Sequence, residues 1–81
     1  MKRKILIVEN KITLSQRQKA WFEQAGYDTI TACNEPVART LIRKNSFDLI
    51  LSDVRPPEGD GISLLDWLLK EKKYIPFIIT T

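Results

Sequence analysis

Ile5-Leu6-Ile7-Val8 is a run of four apolar residues with no polar alternation. A strand with one wet face alternates, whereas an unbroken run marks a strand covered on both faces, as in a parallel sheet. Similar runs return at Leu49-Ile50-Leu51 and Phe77-Ile78-Ile79. A looser strand pattern, rich in β-formers at Thr29, Ile30 and Thr31, lies between the first two. Parallel neighbours must be joined by crossovers, so helices are required between these runs.

The intervening segments have helical periodicity. Residues 12–25 place Leu14, Gln18, Trp21, Phe22 and Ala25 on one face, with Gly26 as the stop. The Trp21-Phe22 pair is expected to face the sheet. Asn34-Glu35-Pro36 reads as an N-cap followed by a first-turn proline, opening a helix that runs to about residue 44 and buries Val37, Ala38, Leu41 and Ile42. The third strand is expected over 47–52, with Asp53 at its end. Residues 54–61, with Pro56-Pro57 and two glycines, read as a loop. Residues 62–72 return to helical spacing, with Leu64, Leu65, Leu68 and Leu69 on one face and Trp67 beside it. Residues 75–80 form the fourth strand. The order is β-α-β-α-β-α-β, an α/β chain of right-handed parallel units.

Composition narrows the chemistry. The 81 residues include one cysteine and no histidine. That excludes an intramolecular disulfide, a Cys-rich or His-ligated metal site and histidine acid–base catalysis, and it suits a reducing compartment. Thirteen basic against ten acidic residues give +3, too mild an excess to imply nucleic-acid binding by this domain. The basic triplet Lys2, Arg3 and Lys4 reads as a solvated lead-in. No apolar run approaches the ~20 residues of a membrane span and no signal-peptide pattern is present, so no membrane partner is expected and the expected location is the cytoplasm.

In an open parallel sheet, ligands bind beyond the carboxyl ends of the strands. Glu9 and Asn10 follow the first strand, Cys33 and Asn34 the second, Asp53 the third, and Thr80 and Thr81 the fourth. With the first strand central and the third and fourth beside it, Glu9, Asn10, Asp53 and Thr81 converge. Two carboxylates and an amide oxygen suit a hard cation such as Mg²⁺, and a hydroxyl suits an anion resting on that cation. On spacing alone, Asp53 and the Glu9-Asn10 pair read more readily as turn residues or caps. There is no glycine-rich phosphate loop, which argues against a nucleotide- or flavin-binding fragment.

Three blocks carry a resemblance: Ile5-Leu6-Ile7-Val8-Glu9-Asn10, the stretch from Asp48 through Asp53 and Pro57 to Asp60-Gly61, and Ile75-Pro76-Phe77-Ile78-Ile79-Thr80-Thr81. Together they resemble the receiver (CheY-like) domains of bacterial two-component response regulators, and the wording of the middle block looks most like the NtrC-type regulators. The resemblance implies a flavodoxin-like, doubly wound parallel sheet of strand order 2-1-3-4, with residues 1–81 as the N-terminal two-thirds of a receiver domain. It further implies phosphorelay signal transduction. Asp53 would accept a phosphoryl group from a histidine kinase or phosphotransfer protein, Glu9, Asn10, Asp53 and the Arg55 backbone carbonyl would hold Mg²⁺, and Thr81 would be the switch hydroxyl. Such a module switches an output domain and is not a turnover enzyme.

Two departures from the family stand out. Asn10 replaces a usual acid, so weak Mg²⁺ binding is expected. The family's fourth helix, its fifth strand with a phosphate-pairing lysine, and its fifth helix have no counterpart in the sequence, and Lys70, Lys72 and Lys73 do not substitute for that lysine. Slow phosphorylation or none is therefore expected, and the uncovered fourth strand is expected to promote self-association. The competing reading is an atypical receiver acting as a phosphorylation-independent docking or dimerisation module.

Overall fold

The computed structural model describes residues 2–53 and 63–80. Its elements run β1 (Lys4–Val8), α1 (Ile12–Gln24), β2 (Asp28–Ala32), α2 (Glu35–Lys44), β3 (Leu49–Asp53), α3 (Leu64–Lys70) and β4 (Phe77–Thr80). The four strands pair in the order β2-β1-β3-β4, every ladder parallel. The periodicities imply the alternating parallel units, and the flavodoxin-like strand order is the one that the resemblance implies.

β1 is the centre of the sheet, and Ile5, Leu6, Ile7 and Val8 are all buried. The unbroken apolar run is thus covered on both faces. On one face Leu6, Val8 and Ile50 pack with Ala38 and Ile42 of α2 and with Leu64, Trp67 and Leu68 of α3. On the other, Ile5, Ile7 and Leu51 pack with Phe22 of α1. The start of the β1–β3 pairing is held by Asp48: its carboxylate accepts from the Lys4 N–H at 2.8 Å, and its own N–H donates to the Lys4 carbonyl at 2.8 Å.

The helix ends follow from local chemistry. Asn34 caps α2 by accepting from the Val37 N–H at 2.9 Å. Ser63 caps α3, accepting from the Asp66 N–H at 3.2 Å and donating to the Asp66 carboxylate at 2.9 Å. This closes a reciprocal cap in which one side chain also satisfies the other. Gly26 ends α1 at a φ of +97°, a conformation an L side chain resists.

Three expected faces are corrected. Trp21 is 75% exposed and Leu14 is also exposed. Instead α1 turns Ser15, Lys19 and Phe22 toward the sheet, with Ser15 buried. The Lys19 ammonium donates to the Thr29 carbonyl of β2 and pairs with Glu23 at 3.1 Å. A long lysine stem, its head tied to a strand carbonyl, takes the place expected of an aromatic ring. On α3, Trp67 is buried at 7% exposure while Leu69 is exposed, so the ring expected beside the apolar face is part of it. On α2, Val37 is exposed while Ala38 and Ile42 are buried.

Candidate phosphoacceptor site

Register brings the site together. Val8 of β1 pairs with Ser52 of β3, so the next residues, Glu9 and Asp53, reach the carboxyl edge at the same level on adjacent strands. Glu9 is buried, at 6% exposure. Its N–H donates to the Ala32 carbonyl at the end of β2 at 2.9 Å. Its carboxylate accepts from the Lys11 N–H at 2.9 Å, at the N-cap of α1, where no side-chain cap is present. The carboxylate is thereby held at the junction of strand and helix. Asn10 occupies the bend between them and is exposed.

Asp53 ends β3, half-buried. Across the next ladder it pairs with Thr80 of β4, whose hydroxyl donates to the Ser52 carbonyl at 3.3 Å. That bond commits the Thr80 side chain to the β3–β4 ladder. Arg55 and Thr81, expected to supply the metal-binding carbonyl and the switch hydroxyl, lie outside the described residues.

The donor set fits a hard dication. A buried Glu9 and a half-buried Asp53 stand at the ends of neighbouring strands, and two carboxylates brought to one edge favour a bound cation. Among the described residues no group of three or more His, Cys, Asp or Glu side chains gathers as a metal site. A cation at this edge would draw its remaining ligands from amide, carbonyl or water oxygens, as Mg²⁺ commonly does.

A cleft of about 160 Å³ opens beside the edge, lined by Asp53, Ser52, Ser63, Leu64, Phe77 and Glu35 among others. Glu35 is a cleft residue that sequence reasoning missed. The signal was present, because Glu35 directly follows Cys33 and Asn34 at the carboxyl end of the second strand.

A family model for the response regulator receiver domain matches residues 5–81. The chain belongs to the response regulator receiver domain family. The polar-differentiation response regulator DivK of Brucella anthropi is 34% identical over 83 residues, an alignment covering 100% of this chain and 68% of DivK. The receiver domain of the Francisella response regulator 1452 superposes with a TM-score of 0.86 at 38% identity, covering 95% of this chain and 64% of that one. The response regulator TrrA of Thermotoga maritima, solved in complex with Mg²⁺-BeF, has a TM-score of 0.83 at 25% identity, with 95% and 67% covered. The chain spans from 34% to 68% of the length of curated relatives that it matches. These relatives establish the family; the NtrC-type branch expected from the middle block is not shown by them. Among the described residues no helix is long and apolar enough to cross a membrane.

Proposed function

We propose that this chain is a phosphoacceptor module in which Asp53 takes a phosphoryl group from a partner histidine kinase or phosphotransfer protein. The observation that carries this reading is the level placement of Glu9, just after β1, and Asp53, at the end of the adjacent β3. Glu9, Asn10, Asp53 and the Arg55 carbonyl are the proposed Mg²⁺ ligands, and Thr81 is the proposed switch hydroxyl. When bound, the cation offsets the negative charge that accumulates as a phosphoryl group approaches a carboxylate. The chain's own contribution is positional. β3 presents Asp53 at a half-buried edge, and the Lys11 N–H holds the Glu9 carboxylate beside it. The binding of Mg²⁺-BeF by TrrA supports the choice of ion. The module is proposed to act in the cytoplasm as a signalling element whose product is its own modified state.

Asn10 contributes no charge, so the proposed Mg²⁺ affinity is low and the reaction slow. Intact-mass analysis after treatment with acetyl phosphate and Mg²⁺, alongside Asp53→Ala, tests this. Slow, Asp53-dependent addition of one phosphoryl group supports it, and rapid stoichiometric addition contradicts the role given to Asn10.

A second reading, a docking or dimerisation module independent of phosphate, is favoured by β4. Ile78 and Ile79 are 50% and 53% exposed on a strand that ends the described sheet. An apolar edge strand is a template for pairing with a further strand, which in this reading belongs to a second copy of the chain. Sedimentation measures this directly, and a stable monomer at tens of micromolar contradicts it.

A further inference from the structure

Glu35 and Asp53 line the same cleft, and Glu35 is held there by a chain of contacts. Asn34 caps α2, so Glu35 begins its first turn at the carboxyl edge of the sheet. One turn later Arg39 lies 3.8 Å from the Glu35 carboxylate, and the two side chains are only 17% and 18% exposed. The Arg39 guanidinium carbon is 5.5 Å from the centroid of the Trp67 ring on α3. Trp67 is buried, so it anchors Arg39, and Arg39 in turn restrains Glu35. The Glu35 carboxylate is therefore fixed on the cleft wall and little exposed, its charge partly offset by Arg39, where salt screens it less than it screens a surface carboxylate.

We propose that Glu35 determines which phosphodonors Asp53 accepts, disfavouring doubly charged acyl phosphates relative to singly charged phosphoramidates. Arg39 holds the Glu35 carboxylate and offsets part of its charge. The inference rests on the reading of Asp53 as the acceptor. With acetyl phosphate, a dianion at neutral pH, an Asp53 carboxylate oxygen forms the new bond to phosphorus. The bond from phosphorus to the acyl oxygen breaks, and acetate leaves with its electron pair. With phosphoramidate, a monoanion whose nitrogen is already protonated, the phosphorus–nitrogen bond breaks and ammonia leaves. A fixed carboxylate beside the approaching phosphoryl group repels the first donor more than the second.

The test compares rates of Asp53 modification by the two donors, with Mg²⁺, in the wild-type chain, Glu35→Gln and Arg39→Ala. The ratio of the two rates within one protein cancels any loss of folded material, so a merely structural effect leaves it unchanged. Glu35→Gln is expected to raise the acetyl phosphate rate by about threefold to tenfold at low salt, and the phosphoramidate rate by less. Arg39→Ala is expected to shift the ratio the opposite way, and added salt to shrink both shifts. If the wild type is modified at Asp53 and Glu35→Gln leaves the ratio unchanged, the role of Glu35 is overturned while the acceptor reading stands. If neither donor modifies Asp53 of the wild type, both fall.

Discussion

The guanidinium of Arg43 lies over the indole of Trp67, 5.2 Å from guanidinium carbon to ring centroid. Arg39 lies 5.5 Å from the same centroid, so two cations of α2 meet one aromatic ring of α3. The ring also belongs to the larger core cluster with Leu6, Ile50 and Leu68. It therefore joins the two helices on this face through both packing and charge. Trp67→Ala is expected to cost ~3–5 kcal/mol in urea unfolding, as large aromatic truncations do. Arg43→Ala is expected to cost no more than ~1 kcal/mol, the worth of an exposed cation–π contact. Equal losses for the two would show that the stack, not the burial, holds the helices together.

Backbone conformation gives a pair of opposite effects. At Gly26 the φ is +97°, and an added Cβ would meet nothing within 4 Å. Gly26→Ala is therefore expected to destabilise through backbone strain alone, by ~1 kcal/mol. At Lys72, just beyond α3, φ is +56°. Lys72→Gly relieves that strain and is expected to gain ~0.5–1 kcal/mol. Thermal or urea unfolding of the two variants reads both signs.

The cap of α2 is a side-chain matter. Asn34 accepts from the Val37 N–H at 2.9 Å, satisfying a donor that has no partner within the helix. Asn34→Ala is expected to lose ~1 kcal/mol of stability, with Asn34→Asp close to wild type. A loss in both variants would assign the effect to something other than the cap.

Much of the fold was legible because burial on both faces leaves an unmistakable trace. Ile5 to Val8 are apolar without interruption, and β1 is the central strand. The Asn34 cap and the Gly26 stop were legible for the same reason, since each is a residue type chosen by local backbone chemistry. The face of α1 was not. Its apolar residues Leu14 and Trp21 point outward, and Phe22 is shared by the expected and the observed faces. A helix that buries Ser15 and lays a lysine stem along a strand carries only a weak apolar stripe. Trp67 was misplaced for a related reason, because its place in the core cluster and its contacts with Arg39 and Arg43 are made with other elements of the fold. The placement of Glu9 and Asp53 at neighbouring strand ends was legible from the ends of the apolar runs. The part played by Glu35 depends on a cleft that only the packed α2 and α3 create.

Metal affinity is expected to respond to the charge at residue 10. Asn10 is exposed on the bend after Glu9, so an acid there has little effect on folding. Asn10→Asp is expected to tighten Mg²⁺ binding by about fivefold to tenfold, and Glu9→Gln to weaken it comparably, for roughly 1–1.4 kcal/mol per charge, the scale of a strongly solvent-screened pair. Metal titrations followed by amide shifts at Glu9, Asn10 and Asp53 measure both. An unchanged midpoint in Asn10→Asp would remove residue 10 from the ligand set.

The central claim is that Asp53 accepts the phosphoryl group at the edge it shares with Glu9. Its most direct test is the time course of intact mass for wild type and Asp53→Ala with acetyl phosphate and Mg²⁺. The expected result is slow addition of a single phosphoryl group to the wild type, abolished in Asp53→Ala and reduced when Mg²⁺ is removed. The same gain in Asp53→Ala, or none in the wild type after prolonged treatment, would contradict it.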